Sequence, residues 1–217
     1  RALDLGATVI ENPVRLIERH GDGVVVHTES GAWLFNRVIV AAGARTVQIL
    51  PQLAAVASPE LQIMTWFQAD DPELFRAGRM PVFIREGAGF HAYGAPSLDG
   101  LHVKVSGLTE RRRAEFTGLT YDQFVTREDL LACEAGIPRV LNGMHPLPVR
   151  TAIYPELYAH DNRFILDYVD DDQRIFAATA FSGKGFKMAN AIGEYIARVF
   201  FDETPIDPDF QLARFGN

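Results

Sequence analysis

The sequence predicts an α/β fold joined to an α+β part, the latter a mostly antiparallel sheet with helices, and three observations lead there. Two segments far apart in the chain, Val38-Ile-Val-Ala-Ala-Gly-Ala-Arg45 and Phe181-Ser-Gly-Lys-Gly-Phe-Lys-Met188, each read as a buried strand ending at a small-residue turn. The second turn leads into a helical pattern. Between the two lies a succession of short apolar, aromatic-rich runs separated by Pro, Gly and Asp, the pattern of successive hairpins.

Composition sets the outer limits. A chain of 217 residues, 47% hydrophobic and 23% charged, is a folded body of one or two domains, and no apolar run is long enough to cross a bilayer. The net charge of -7 argues against a broad nucleic-acid surface. A single cysteine, Cys133, leaves no internal disulfide framework and no thiol cluster for zinc, and it fits a reducing cytoplasm. His91, His102, His145 and His160 show no pairing at ligand spacing, so no metal is expected. The chain opens Arg1-Ala-Leu-Asp-Leu-Gly6, which reads as the last turn of a helix and leads us to expect a truncated protein.

In chain order, Gly6 terminates that turn before a short apolar run, as where a helix hands over to a strand. Val14 to Glu18, Val24 to Thr28 and Gly31 to Phe35 alternate and are broken by glycine turns, which predicts an antiparallel meander. Val38 to Ala42 is continuously apolar and suits a central strand covered on both faces, ending at Gly43 where a ligand or backbone can come close. Leu61–Phe67, Met80–Ile84, Phe90–Tyr93 and Leu101–Val105 form the antiparallel sheet. Gly87-Ala-Gly89-Phe-His-Ala92 satisfies a loose dinucleotide fingerprint, but the glycines and Pro96 that follow cannot make the required helix, so a hairpin turn is expected. In His102-Val-Lys-Val-Ser106, alternation puts His102, Lys104 and Ser106 on one face, where Lys104 is either a solvated charge or a group aimed at a site. Tyr93 is equally readable as a core aromatic. Arg111-Arg-Arg113 reads as a solvated basic patch, and Glu128 to Val140 as one or two short helices interrupted by Gly136 and Pro138.

Phe164–Tyr168 and Ile175–Thr179 flank the acidic turn Asp170-Asp-Asp-Gln173, a hairpin whose acidic run reads as solvated. A helix is expected from Met188, with Met188, Ile192, Tyr195, Ile196, Val199 and Phe200 on its apolar face and its end before Pro205. The Ser182-Gly-Lys-Gly185 turn ahead of it would present free backbone amides and the positive end of a helix dipole, a place for an anionic partner that Lys184 and Lys187 would reinforce. The alternative is tight helix-to-strand packing with solvated lysines. A serine on a strand-to-helix turn also raises a hydrolase. Ala180 and Lys184 break the Gly-x-Ser-x-Gly pattern, however, and no histidine follows.

Taken jointly, Arg37-Val-Ile-Val-Ala-Ala-Gly-Ala44, Tyr93-Gly-Ala-Pro-Ser97 followed by Lys104, Arg163-Phe-Ile-Leu-Asp167 and Phe181-Ser-Gly-Lys-Gly-Phe-Lys187 resemble the monomeric sarcosine oxidase and N-methyltryptophan oxidase family, within the glycine and D-amino-acid oxidase group. The resemblance covers nearly the whole chain as the C-terminal part of such a protein. It implies an FAD-binding domain made of residues 1–49 and 160–217, with a substrate domain over 50–159. It also implies that an N-terminal Rossmann segment, which supplies the pyrophosphate turn, is missing here. The chain alone is then expected to be inactive and unable to hold FAD tightly.

Carried over by position, Val14 would line the adenosine part of FAD, and Ala42 and Gly43 would admit the cofactor to the backbone. Gly183, Lys184, Gly185 and Phe186 would border the flavin ring. Lys187 would engage a substrate carboxylate, Tyr93 would line the substrate cavity, and Lys104 would promote reaction with oxygen. Ala152 stands where covalent members carry the flavin-linking cysteine, so FAD would be noncovalent. Lys184 and Leu108 replace histidines, which leaves the substrate open. The activity implied is oxidation of an amino acid or N-methyl amino acid by hydride transfer to flavin, with oxygen giving hydrogen peroxide. A flavin dehydrogenase using a quinone or carrier protein, and a noncatalytic binding fragment, are the alternatives. The expected partners are a small amine or amino-acid substrate and oxygen, with no nucleic acid and no membrane.

Overall fold

The computed structural model describes residues 1–87, 89–202 and 204–216. In chain order its main elements are β1 (Val14–His20), β2 (Gly23–Thr28), β3 (Gly31–Phe35), β4 (Val38–Val40), the short α1 (Thr46–Ile49), β5 (Ala57–Gln68), β6 (Phe83–Gly87), β7 (Phe90–Ala95), β8 (His102–Ser106), β9 (Arg112–Arg113), β10 (Phe116–Thr117) and β11 (Thr120–Tyr121). There follow α2 (Arg127–Val140), β12 (Arg150–Ala159), β13 (Ile165–Tyr168), β14 (Ile175–Thr179) and α3 (Gly185–Phe201). The chain divides into two compact units, Arg1–Ser58 with Leu157–Asn217, and Pro59–Glu156.

In the first unit, β1, β2 and β3 form the expected antiparallel meander, with Ile17 opposite Val26 and Val25 opposite Leu34. The short helical turn Leu3–Leu5 ends at Gly6, whose φ of +92° is the left-handed value a side chain disfavours. The expected strand after it does not form: residues 7–13 are irregular and Val9 and Ile10 are exposed, so no burial offsets the cost of ordering them. A second sheet runs in the order β13-β14-β4, with β13 antiparallel and β4 parallel to β14. Here the sequence reading needs correction. The strand buried along its whole length is β14, whereas β4 stops at Val40, lies at the sheet edge and leaves Ile39 44% exposed.

Two clusters of side chains close this unit. Val24, Val40, Leu50, Leu53, Leu157, Ile165 and Ala177 make one. Leu166, Phe176, Ile192, Val199 and Phe200 make the other, where Phe176 meets Tyr168 and Phe200 edge-on at ring centroid distances of 5.1 and 5.4 Å. Helix α3 begins three residues before Met188 and ends before Pro205; Ile192, Val199 and Phe200 are buried, but Met188 is exposed. The acidic turn is not simply solvated. Asp170 accepts the backbone N–H groups of Arg174 and Ile175, and Arg19 reaches Asp170 at 3.6 Å and Asp172 at 2.6 Å. After α3 the chain returns along β13, where Arg214 pairs with Asp161 at 2.7 Å and holds that carboxyl below its usual range.

In the second unit a six-stranded sheet follows the order β12-β5-β8-β7-β6, with β9 added on β5. The expected hairpins form: β6 and β7 are antiparallel with Gly87 opposite Phe90, so the glycine-rich segment is a turn and no dinucleotide fingerprint; its Ala88 lies outside the described residues. Burial alternates strictly along β5, placing Leu61, Ile63 and Phe67 inside and Met64 and Trp66 on the half-buried face. Residues 127–140 form one helix, not two. Thr126 and Asp129 close a capping box, and Cys133, Ile137 and Val140 are buried, which together outweigh Pro138 near the helix end. Gly136 fits because Leu108 packs where its Cβ would stand, at 3.3 Å. Burial and nearby Asp129 push the Cys133 thiol up to about 11, so it is an inert core group. Arg111-Arg-Arg113 is not a solvated patch either: Arg111 pairs with Glu60 at 3.0 Å and Arg112 with Asp129 at 3.3 Å. No described helix is long and apolar enough to cross a membrane.

Candidate functional site

In the first unit, the parallel pairing of β4 and β14 brings two turns to the same end of the sheet. Ala177 lies opposite Val40, and each strand then runs into small residues. Thr179 ties the turns together: its Oγ1 lies 2.9 Å from Thr46 Oγ1 and 3.5 Å from the Gly43 carbonyl oxygen. Gly43 has a φ of +57°, and nothing lies within 4 Å of the place a Cβ would take, so the backbone there is open to an approaching group. The carboxyl ends of neighbouring parallel strands are the usual place for a ligand in open α/β sheets.

The second turn is strained. Ala180, Ser182 and Gly183 have φ values of 52°, 51° and 81°, a left-handed run that two non-glycine residues adopt only when their surroundings enforce it. The enforcing bonds are visible. Ser182 donates its hydroxyl to the Ala180 carbonyl at 3.1 Å and accepts the Ala159 N–H at 3.2 Å, and its own N–H reaches the Leu157 carbonyl at 3.3 Å. Ser182 is therefore buried scaffolding, which removes the hydrolase reading.

The amides of this turn are less free than the sequence suggests, since Lys184 N–H also donates, to the Phe181 carbonyl at 3.0 Å. The N–H groups of Gly185, Phe186 and Lys187 begin α3 and have no partner within the helix. Gly185 is required by packing, because a Cβ there would stand 3.0 Å from the Phe181 Cβ. Phe186 is fully exposed. Two ammonium groups attend the helix start: Lys184 Nζ bonds the Asn162 carbonyl at 3.0 Å, and Lys187 Nζ reaches the Gly183 carbonyl at a weak 3.4 Å. Ala42, Gly43, Gly183, Lys184, Gly185, Phe186 and Lys187 thus all flank these two turns. Val14 stands apart at the start of β1, in the meander sheet, opposite Thr28.

In the second unit, the sheet brings Tyr93 and Lys104 to one face. Lys104 is opposite Trp66 on β5 and opposite Ala95 on β7, with Tyr93 diagonal to it. Its Nζ lies 5.9 Å from the ring centroids of both Trp66 and Tyr93, while Val103 and Val105 fill the core behind it. Lys104 is therefore half-buried on an aromatic floor. β7 and β8 come so close at Gly94 that a Cβ would stand 2.4 Å from the Lys104 carbonyl oxygen. Tyr93 donates its hydroxyl to Met64 Sδ at 3.5 Å; burial first, then the Glu156 charge, raise its pKa, so it stays a neutral phenol. Ala152 lines a separate open cavity of about 280 Å³ with Tyr121, Gln123, Val125, Thr151, Ile153 and Tyr154. Sequence reasoning passes over Trp66 and Arg150, whose guanidinium carbon stands 4.4 Å from the Trp66 ring centroid. The alternation of β5, which puts Trp66 on the Lys104 face, is the signal that could have found the first.

Comparison with known proteins meets this arrangement. A model of the FAD dependent oxidoreductase (DAO) family matches residues 1–199. The chain belongs to that family. It is 27% identical over 201 residues to monomeric sarcosine oxidase of Streptomyces avermitilis, covering 91% of this chain and 52% of that protein. It is 31% identical over 223 residues to N-methyl-L-tryptophan oxidase of Yersinia pestis, covering 98% of this chain and 57% of that one. The chain thus spans about half the length of these relatives. Among solved structures, glycine oxidase from Geobacillus kaustophilus superposes with a TM-score of 0.74 at 18% identity, over 98% of this chain and 55% of that one. L-proline dehydrogenase from P. horikoshii superposes with a TM-score of 0.77 at 22% identity, over 99% and 56%. Both likenesses show a shared fold.

Proposed function

We propose that this chain contributes to FAD-dependent oxidation of an amino acid or N-methyl amino acid, with oxygen as the electron acceptor. The observation that carries the reading is the shared end of β4 and β14, where an open glycine, unpaired helix amides and two ammonium groups meet. That set suits a large, partly anionic, planar cofactor. Family membership and two relatives named as oxidases of N-methylated amino acids support the same reading.

When bound, FAD supplies the redox chemistry, taking a hydride from the carbon next to the amine nitrogen and returning the electrons to oxygen as peroxide. Ala42 and Gly43 would admit it to the backbone, Gly183, Lys184, Gly185 and Phe186 would border its ring system, and Val14 would lie along its adenosine part. The pyrophosphate turn would come from a Rossmann segment outside residues 1–217. Residues 1–49 and 160–217 would then be the cofactor-binding part, and 50–159 the substrate part. The methyl group of Ala152 offers no nucleophile, so the cofactor would be held without a covalent bond there.

Lys187 holds its present carbonyl weakly, so its ammonium can turn to a substrate carboxylate. Tyr93, kept neutral, can shape an amine pocket without adding charge. Lys104 places a fixed positive charge on an aromatic floor; negative charge developing on oxygen would be stabilised there better than by water.

The test is an absorbance spectrum of the protein expressed with its upstream coding sequence, before and after acid precipitation, followed by a screen of amines for peroxide. Flavin bands released into the supernatant and peroxide formed with a secondary or primary amino acid are expected. Flavin that stays with the precipitate would overturn noncovalent binding, and no flavin even after FAD is added would overturn the function.

A further inference from the structure

The chain has four methionines, and among the described residues only Met64 accepts a hydrogen bond at its sulfur. Met80 and Met144 pack against the core of Phe67, Val103 and Ile137, and Met188 is 41% exposed on α3. Met64 is half-buried on the face of β5 that turns away from Leu61 and Ile63 and also carries Trp66. The Tyr93 hydroxyl donates to its Sδ at 3.5 Å and, among the described residues, makes no other hydrogen bond. Lys104 Nζ attends the same phenol ring, 5.9 Å from its centroid.

A thioether is a weak acceptor for a half-buried phenol. It is also the one acceptor that oxidation improves, since methionine sulfoxide is polar and carries an oxygen where the sulfur had only a lone pair. The geometry suits that reaction as well as its product. A hydroxyl kept protonated by burial and aimed at the sulfur can relay a proton to a departing oxygen, and an ammonium on the same face stabilises negative charge that develops there. Met64, Trp66, Tyr93 and Lys104 all lie within Pro59–Glu156, so the arrangement is complete in one unit.

We propose that Met64 is a site of modification by hydrogen peroxide, and that its sulfoxide, held by the Tyr93 hydroxyl, slows the oxidase whose product made it. The sulfur gives an electron pair to one peroxide oxygen, so an S–O bond forms as the O–O bond breaks. The transferred oxygen passes its proton through the Tyr93 hydroxyl to the other oxygen, which leaves as water; the thioether is oxidised by two electrons and the peroxide reduced by two. Turnover slows because the sulfoxide fixes the Tyr93 hydroxyl and puts a polar oxygen beside the amine pocket that Tyr93 shapes. The source of peroxide rests on reading the protein as an oxidase; the site itself requires only the peroxide. Reduction of the sulfoxide restores the thioether, so the brake is reversible.

The experiment treats the protein, expressed with its upstream coding sequence, with hydrogen peroxide in the absence of any amine and reads each methionine by peptide mass spectrometry. Met64 should gain one oxygen ahead of the core-packed Met80 and Met144. Tyr93→Phe should slow the gain at Met64 about two- to tenfold, the scale of one neutral hydrogen bond, and leave Met188 unchanged. Activity of the treated protein should fall in step with oxidation of Met64 and return with methionine sulfoxide reductase, and Met64→Leu should keep its activity through the treatment. Oxidation of Met188 with Met64 intact overturns the proposal. So does a Met64→Leu variant as sensitive as its parent, or a rate at Met64 that ignores Tyr93→Phe. A protein that oxidises no amine, yet gains oxygen at Met64 with the stated dependence on Tyr93, keeps the modification site and removes the oxidase reading. Peroxide formed in turnover with Met64 left intact does the reverse.

Discussion

Replacing Lys104 by Met keeps the length and apolar stem of the side chain and deletes only the ammonium held between Trp66 and Tyr93. If that charge stabilises oxygen as it is reduced, anaerobic reduction by substrate should be nearly unchanged while the reaction with oxygen slows about 10²–10³-fold, the scale of removing one preorganised electrostatic contact. Stopped-flow traces with and without oxygen separate the two steps, and unchanged reoxidation would remove this role from Lys104. Part of this arrangement is legible in the amino-acid sequence alone. Alternation in residues 102–106 sets Lys104 on the face opposite Val103 and Val105, which are fully buried. What alternation cannot say is what the other face meets. Trp66 lies far back in the sequence, and only the β5–β8 pairing sets it against Lys104.

The elements whose ends are marked by local chemistry are the ones the sequence displays best. Glycine turns mark the meander and the β6–β7 hairpin, and both form with antiparallel registers. Gly136 and Pro138 are poor helix formers and suggest a break in α2, but tertiary burial of Cys133, Ile137 and Val140 decides otherwise. Its start carries a separate contribution. Thr126 Oγ1 accepts the Asp129 N–H at 3.2 Å while Asp129 Oδ2 accepts the Thr126 N–H at 2.8 Å. Thr126→Ala should therefore cost about 1 kcal/mol of stability, within a range of about 0.5–2. A urea melt should show the midpoint falling with an unchanged slope; an unshifted midpoint would mean that burial alone holds the helix.

At the scale of the whole molecule, the chain passes between its two units inside β5 and again inside β12, and the two halves of the first unit are separated by the entire second unit. The parallel pairing of β4 with β14 is invisible in the sequence for this reason: both strands read as buried runs, and nothing local says that they are neighbours. The same topology predicts unequal autonomy. Residues 59–156 hold their own cores, with Phe67, Ala92, Val103, Val105 and Ile137 in one and Leu61, Ile63 and Ile153 in another. Expressed alone, this segment should unfold in a single cooperative thermal transition, as domains of its size commonly do. Residues 1–58 should not. Their core of Val24, Val40, Leu50 and Leu53 is closed by Leu157, Ile165 and Ala177, and the carboxylates paired with Arg19 are Asp170 and Asp172. Without those partners, the apolar area left to bury is too small to offset the chain entropy of ordering it. Circular dichroism melts of the two fragments make the comparison. A cooperative transition in residues 1–58 alone would show that the meander sheet carries the first unit without β13 and β14, and that the parallel pairing joins an already folded piece.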